Sequence, residues 1–381
     1  MSKKPARAGI AAVPVLHRNL IAAAVLSLFA APAFAAPGDP QDCVEGTGGD
    51  TSLICGDPAA GNAATGANAI AIGTGNKANG PNAVFIGVNN KAYDGTASGT
   101  IVVGTNNVAG RNNAGNGGSV IFGRDNVSEA NSGTGSNSNA NEVVVGIGNR
   151  LNSDGAGGFP GGGSTAIGLY NIVDTRTPSF SSAAPNIGLG VYNRAISGGQ
   201  PNFALESAVG AYNDARGAQA SAMGARNSVY GNSSSAFGRN NVVGTYSKTD
   251  EGNGLTTDGY AKDADGYRSV TGAVSANEAT AVGSSNTVTG LRGTAVGASN
   301  AASATQSVAV GYNNTAGGAN SIAIGASASA TADRSIVLGL NAMSAEINSV
   351  ALGANSVADR ANVVAVGASS NQRQIIYVAA G

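Results

Sequence analysis

The sequence predicts an all-β solenoid, a chain wound into short coils that stack on one another. Seventeen short apolar runs each close on a glycine, and the last seven of these glycines recur every 14 residues. Both faces of the runs are apolar. A fixed short period is typical of stacked repeats. The glycines are Gly73, Gly87, Gly104, Gly123, Gly146, Gly168, Gly190, Gly210, Gly224, Gly238, Gly283, Gly297, Gly311, Gly325, Gly339, Gly353 and Gly367.

The spacing is less regular in the first half of the chain, where it varies between 14 and 23 residues. We expect the extra residues to form loops between regular coils. One interval is much longer, with 45 residues between Gly238 and Gly283. It holds either one long excursion or degenerate coils, and we favour an irregular loop over about 242–279.

Each apolar run is short enough to be a strand. The residue before the glycine is a large apolar one in all seventeen runs, and alternation puts it on the same strand face as the residue two positions earlier. We expect this face to be buried in the coil. The residue between them is apolar as well, as in Ala71, Phe85 and Val102. This second face therefore predicts burial against an identical chain, hence a homo-oligomer.

Asparagine stands three residues after the glycine in thirteen coils, from Asn76 to Asn314. Stacked coils align such residues into a ladder of side-chain amides. The last four coils carry Ala328, Ala342, Ser356 and Ser370 there, so the ladder is expected to help without being indispensable. Asn in turns is mostly structural, and we assign this column to structure over ligand binding.

The composition suits an extended stack better than a globule. There are 58 glycines, 5% aromatic residues, no Trp and 11% charged residues, which leaves little material for one large core. An apolar content of 42% argues against disorder. Seventeen coils that each advance by about 4.8 Å form a rod of about 80 Å. Such a rod presents surfaces and encloses no pocket.

The N-terminus has the pattern of a secretory signal peptide over residues 1–35. Basic residues precede an apolar run over 20–31, and Ala33-Phe34-Ala35 supplies the small residues of a cleavage site. The alternative is a signal anchor, although the run is short for a spanning helix. We expect the protein to be exported to the cell surface and outer membrane, or secreted.

Charge excludes one class of partner. Cleavage after Ala35 removes four basic residues and leaves 17 basic against 22 acidic residues, a net charge of −5. A nucleic-acid partner needs a basic surface, so none is expected. No basic stripe for a membrane surface is present, and we expect no membrane insertion by this chain.

The two cysteines, Cys43 and Cys55, stand just after the expected cleavage site. In an oxidising compartment the expected outcome is one disulfide, in a small cap over residues 36–60 that closes the end of the stack. The alternative is a metal site of two cysteines, but the partner ligands for it are missing.

Catalysis that depends on histidine is excluded, because the single histidine, His17, lies within the signal peptide. Asp263-Ala264-Asp265-Gly266 fails as an EF-hand, since Arg268 and Val274 stand where glycine and glutamate are required. Weak calcium binding by the acidic loop around Asp250 and Asp258 stays open, with solvated loop charge as the preferred interpretation. We predict no enzyme, cofactor or metal site.

Two segments carry a resemblance to a known family. Asn320, Ser321, Ile322, Ile324 and Gly325 belong to one repeat, and a second repeat holds Asn348, Ser349, Val350, Leu352 and Gly353. These repeats resemble those of the YadA-like head of trimeric autotransporter adhesins, over about residues 61–370. The resemblance implies a left-handed parallel β-roll in which three chains form one head.

The last residues, 371–381, resemble the start of the family's neck, with Tyr377 where Asn is usual. The matching residues are Arg373, Gln374, Ile375, Val378, Ala379 and Gly381. The resemblance implies a stalk and a membrane anchor beyond the neck, and we expect that this sequence lacks both.

The resemblance implies a bacterial surface adhesin. Its expected partners are a collagen-like protein of the host extracellular matrix, the host cell surface, or other bacteria in aggregates and biofilms, which makes it a virulence factor. The repeat residues would be structural as well as adhesive. Two alternatives stay open: a structural spacer without a specific ligand, and an ice-binding solenoid, for which threonine holds no fixed column through the coils.

Overall fold

The computed structural model describes residues 43–49, 51–56, 58–92, 98–110, 118–131, 142–154, 163–174, 185–196, 205–245 and 276–379. These lie in one compact unit, Cys43–Gly381, separate from residues 1–42. The expected signal peptide, part of the expected cap and Gly381 lie outside the described residues. The fold is all-β, as predicted, with the 3₁₀ turn Pro58–Ala60.

Each complete coil contributes one strand to each of two sheets, which we name sheet A and sheet B. Sheet A has one further strand at each end of the stack, Cys43–Glu45 and Val364–Ala365. Sheet A has nineteen strands: Cys43–Glu45, Leu53–Cys55, Ile70–Thr74, Val84–Val88, Ile101–Thr105, Val120–Arg124, Val143–Ile147, Thr165–Leu169, Ile187–Val191, Ser207–Ala211, Ser221–Ala225, Ser235–Arg239, Thr280–Ser284, Thr294–Ala298, Val308–Tyr312, Ile322–Ala326, Ile336–Leu338, Val350–Leu352 and Val364–Ala365.

Sheet B holds the shorter strand of each coil. Its seventeen strands are Ala63–Ala64, Lys77–Ala78, Lys91–Ala92, Val108–Ala109, Val127–Asn131, Arg150–Asp154, Ile172–Asp174, Arg194–Ile196, Asp214–Ala215, Ser228–Val229, Val242–Val243, Thr287–Val288, Ala301–Ala302, Thr315–Ala316, Ser329–Ala330, Met343–Ser344 and Val357–Ala358.

Strands of successive coils pair in parallel, and the repeat glycines lie side by side, as Gly297 does with Gly311. A Cβ on Gly297 would lie 2.0 Å from the carbonyl oxygen of Gly311, and the φ of Gly297 is +117°. Glycine is therefore required there for both close approach and backbone conformation. The register explains why the apolar runs end on glycine.

The long interval after Gly238 is an excursion from a continuous stack. Gly238 pairs directly with Gly283, so the coils before and after the interval are neighbours. The irregular part is narrower than the expected 242–279, because Val242–Val243 is a strand and residues 276–279 lead into the next coil. Residues 246–275, with the acidic loop, lie outside the described residues.

We number the 14 positions of a coil so that the repeat glycine is position 4. The expected assignment of the two strand faces is wrong. Position 2, represented by Val102 and Ala309, is fully buried inside the roll. Position 3, represented by Phe122 and Ile324, is 42% and 40% exposed and points outward.

The reason for this reversal is the thinness of the coil. In the coil of Gly311, the interior is filled by Ala309 from sheet A, Ala316 from sheet B, and Asn314 and Ser321 at the corners, and all four are buried. Alanine fills position 2 in most coils, and larger side chains such as Phe85 and Ile121 are buried there in only a minority of coils. Side chains alternate along a strand, so the larger column faces outward.

The predicted asparagine ladder is present at position 7. Each Nδ2 donates to the carbonyl of position 3 in its own coil and to that of position 4 in the next, as Asn300 does to Val296 at 3.0 Å and Gly311 at 2.9 Å. The ladder begins one coil earlier than expected, at Asn62, whose Oδ1 accepts from the backbone of Asn76 at 2.9 Å. It ends where Ala328 replaces asparagine.

The gaps in the described residues share one place in the coil. Residues 93–97, 111–117, 132–141, 155–162, 175–184, 197–204 and 246–275 each lie between a strand of sheet B and the next strand of sheet A. The unequal lengths of these links therefore account for the irregular spacing of the repeat glycines. Position 14, the last of each coil, carries buried polar residues, including Glu142, Asn186 and Glu206. Asn186 Nδ2 donates to the Asp174 carbonyl at 3.1 Å.

Candidate adhesive surface

The outward face of sheet A carries the position 3 column along the whole stack. Its members include Ile167, Met223, Phe237 and Leu352, which the single chain leaves between 40% and 45% exposed. An apolar column this long on a soluble surface marks an interaction face. The prediction that one apolar face of the strands needs a partner outside the chain is therefore kept. The face concerned is that of position 3, and not that of position 2 as expected.

The first repeat segment, Asn320 to Gly325, divides between three environments. Asn320 is exposed at a turn with φ of +58°, and Ser321 is buried inside the roll. Ile322 and Ile324 point outward from sheet A, and Gly325 pairs with Gly311. Only the two isoleucines and Asn320 are therefore accessible to another molecule.

The second segment, Asn348 to Gly353, repeats this arrangement. Asn348 is exposed at a turn with φ of +56°, and its Nδ2 donates to Asn362 Oδ1 at 2.8 Å. Ser349 is buried, and its hydroxyl donates to the Glu346 carbonyl at 2.7 Å. Val350 and Leu352 point outward, and Gly353 has a φ of +105°. The segment is mainly structural, with one apolar face turned outward.

The outward face of sheet B is mixed, with polar residues beside apolar ones such as Val242 and Met343, which are 36% and 49% exposed. In the coils after residue 276 it presents small side chains such as Thr287, Thr315 and Ser329. In an earlier coil, Arg216 Nε lies 2.8 Å from Asp214 Oδ1. Burial raises the pKa of the Tyr230 phenol beside them, and the carboxylate of Asp214 raises this pKa further.

The N-terminal end of the stack is closed by an antiparallel hairpin. Cys43–Glu45 pairs with Leu53–Cys55, which in turn pairs in parallel with Ile70–Thr74. A disulfide joins Cys43 and Cys55, which lie opposite one another in the hairpin. The added strand covers the edge of the first coil, where a parallel stack would otherwise expose unpaired backbone groups.

The C-terminal end is held by Arg373. Its Nη1 donates to the Val366 carbonyl at 2.6 Å and to Ser356 Oγ at 2.9 Å, and its Nη2 contacts the Ala354 carbonyl. Ser356 is at position 7. In most other coils this position holds an asparagine whose amide donates a hydrogen bond to the following coil. The guanidinium therefore takes over part of the hydrogen bonding that a further coil would supply.

The other neck-like residues lie on the surface of the single chain. Gln374 and Ala379 are exposed, as are Ile375 and Val378 at 67% and 71%, and Tyr377 has a φ of +59°. Apolar side chains this exposed indicate a segment that packs against another chain.

An exposed row of tyrosines follows one corner of the roll. Tyr170, Tyr192 and Tyr212 occupy position 6 in three successive coils, and their ring centroids are 5.1 Å and 5.2 Å apart in near-parallel stacks. The guanidinium carbon of Arg226, at position 6 of the next coil, lies 5.9 Å from the Tyr212 ring centroid. We name these four residues the Tyr–Arg row.

With this geometry in place, comparison with known families decides the type of protein. The model of the YadA head domain repeat matches residues 64–90, 215–241, 275–300, 289–314, 302–328, 316–342 and 346–370. This is a YadA-like head. No curated protein matches the chain. The matched segments include both repeat segments singled out above, so the predicted resemblance is confirmed, and an adhesin-type surface protein is supported.

Sequence reasoning missed the Tyr–Arg row of this YadA-like head. The signal was the motif Gly-x-Tyr-Asn in three consecutive coils, at Gly168 to Asn171, Gly190 to Asn193 and Gly210 to Asn213. The periodic pattern does not reveal it, because only the glycine and asparagine columns are nearly constant from coil to coil. The residue just before the asparagine varies, and only stacking brings the three tyrosines together.

No cluster of three or more His, Cys, Asp or Glu residues with metal-binding geometry occurs among the described residues. Within the same residues, no helix has the length and apolarity needed to cross a membrane.

Proposed function

We propose that the protein is the head of a bacterial cell-surface adhesin, a non-catalytic homotrimer exported to the cell surface. Three chains pack through the outward face of sheet A, and the remaining surfaces attach the bacterium to host matrix of the collagen type or to host cells. The same surfaces hold bacteria together in aggregates and biofilms. The proposal includes the signal peptide over residues 1–35 as the route of export.

The observation that carries this proposal is the outward apolar column of sheet A. Partly exposed Ile, Leu, Met, Phe and Val side chains fill position 3 in successive coils, whereas the outward positions of sheet B mix threonine, serine and charged groups with apolar residues such as Val242 and Met343. A molecule with one continuous apolar face and one mixed face is suited to burying the first in an oligomer and presenting the second to ligands. The family match to a head repeat supports the adhesin assignment.

The direct test is binding of the purified full chain to immobilised collagen and to cultured cells, with albumin-coated surfaces as the control. We expect saturable binding to collagen or to cells and none to albumin. A chain that forms a trimer and binds neither collagen nor cells would contradict adhesion and favour a structural spacer.

A further inference from the structure

The tyrosines of the Tyr–Arg row occupy a backbone conformation that suits them poorly. Tyr170, Tyr192 and Tyr212 have φ values of 51°, 52° and 57°. In this left-handed region, asparagine and glycine are tolerated, whereas a bulky side chain carries a conformational cost. Other coils place Asn313 or Ser299 at the same position. The fold therefore does not require tyrosine there.

The row is built so that ring edges and hydroxyls face outward. The faces of the three rings cover one another, yet the residues remain 46%, 42% and 54% exposed. The first ring lies over Gly148, where an added Cβ would be 2.4 Å from the ring carbons of Tyr170. Glycine at position 148 therefore leaves room for the ring of Tyr170, the first of the row.

The other end of the row carries positive charge. Arg226 is exposed, and no carboxylate among the described residues forms an ion pair with it. Arginine binds sulfate and carboxylate groups through paired hydrogen bonds, and it does so better than a point charge. The three stacked phenols therefore lead to one guanidinium group.

We propose that the Tyr–Arg row binds a linear anionic glycan laid along the stack. This inference rests on the proposed adhesive function and names a partner class for it. The three phenol hydroxyls exchange hydrogen bonds with sugar hydroxyls, and Arg226 holds a sulfate or carboxylate group. The tyrosines contribute rigid contact area at a low cost in side-chain entropy.

A peptide partner fits the row less well than a glycan. The strands beside the row, Thr165–Leu169, Ile187–Val191 and Ser207–Ala211, are each paired on both sides, so no open sheet edge is available for an added strand. The stacked rings leave no cleft between them for a side chain. Peptide recognition normally uses one of these features, whereas a sugar chain offers hydroxyl groups along a line.

The test measures binding of the full chain to three immobilised probes: a heparin dodecasaccharide, neutral dextran and polyglutamate. The variants are Tyr170→Asn/Tyr192→Asn/Tyr212→Asn and Arg226→Asn. Asparagine suits the left-handed conformation, so the fold should persist. Tyr377→Asn and Arg334→Asn serve as matched controls, because both residues are exposed, have a positive φ and lie outside the row.

We expect binding to heparin only, with each row variant at least about tenfold weaker and each control within about twofold of the parent chain. Absent heparin binding, equal binding to polyglutamate, or full binding by the triple tyrosine variant would overturn the proposal. A change of molecular mass in the tyrosine variant would also overturn it and assign the row to contacts between chains. Collagen and cell binding, measured on the same samples, separates failure of the row from failure of the adhesive function.

Discussion

Asn300 and Asn314 lie in adjacent coils and are linked by a single side-chain oxygen. Oδ1 of Asn300 accepts a hydrogen bond from the backbone N–H of Asn314 at 3.1 Å and another from its Nδ2 at 2.9 Å. Nδ2 of Asn300 meanwhile donates to carbonyls of two coils. One buried amide therefore ties together strand, turn and neighbouring coil, and the stack repeats this link along its length.

The first prediction concerns this ladder. Asn300→Ala removes all of these hydrogen bonds and leaves buried carbonyl and N–H groups without partners. Each unsatisfied group costs about 1–3 kcal/mol, and we expect a total loss of about 2–4 kcal/mol. The thermal midpoint followed by circular dichroism should fall, and amide hydrogen exchange in the coils around Asn286 and Asn314 should accelerate.

Ser303→Ala is the control for this experiment, because Ser303 lies in the same coil and its side chain is exposed. It should leave both measurements near those of the parent chain. Equal effects of the two substitutions would show that the ladder contributes no more than a surface residue.

The second prediction concerns the apolar column of sheet A. Val310→Asp places a charge on the outward face of the strand Val308–Tyr312. If three chains pack through this face, the buried charge would have no partner and the trimer should dissociate. Light scattering should report a trimer for the parent chain and a smaller mass for the variant.

Thr315→Asp is the matched control, since Thr315 lies in the same coil on the outward face of sheet B. It should keep the parent mass. Dissociation by Thr315→Asp alone would place the oligomer contact on sheet B, and a monomeric parent chain would refute the oligomer.

The third prediction concerns the C-terminal end of the roll. Arg373→Ala removes the hydrogen bonds to Val366, Ser356 and Ala354. The last carbonyls then lose their donors, so hydrogen exchange over residues 350–366 should become at least about tenfold faster, corresponding to about 1.4 kcal/mol. Mass spectrometry after timed exchange measures this directly.

Arg360→Ala provides the comparison, because the Arg360 side chain is mostly exposed and its contact with Asp359 is a surface ion pair at 3.6 Å. Such pairs contribute little. Protection of residues 350–366 should therefore stay unchanged in this variant. The capping role of Arg373 would be rejected if both variants exchanged alike.

The fourth prediction concerns the N-terminal hairpin. The double substitution Cys43→Ala/Cys55→Ala removes a crosslink whose contribution is typically about 2–4 kcal/mol. In a stack, each coil contacts only its neighbours. We therefore expect faster exchange over residues 53–74 and no change over residues 276–365, which serve as the internal control. Uniform acceleration along the chain would indicate that the stack unfolds as a single unit.

Much of the fold follows from local chemistry that the sequence displays. The repeat glycines from Gly73 to Gly339 are required by a positive φ and by the close approach of the next coil, so their period reports the coil length. The asparagine of position 7 aligns in any stack with that period, and its ladder was predictable. The continuity across residues 246–275 was favoured for the same reason, because the pattern resumes in register.

The Tyr–Arg row shows where such reasoning stops. Tyr170 and Tyr192 are 22 residues apart in the chain, and Tyr212 follows 20 residues later. Their spacing reflects the unequal numbers of residues between a strand of sheet B and the next strand of sheet A. Because the coils stack in register, the tyrosines of successive coils become neighbours, with ring centroids 5.1 Å and 5.2 Å apart. Periodicity along the chain is a poor guide to neighbours when insertions are unequal.

The sequence by itself determined the all-β repeat, the 14-residue coil, the asparagine ladder and the existence of two apolar strand faces. Only the tertiary structure decided which face lies inside. Alternation along a strand places Ala309 and Val310 on opposite faces, but it does not determine which of the two faces is inside the coil. The distance between the two sheets of a coil breaks that symmetry. A space this thin is filled by alanine in most coils, and it admits larger side chains such as Phe85 in a few coils but not in every one.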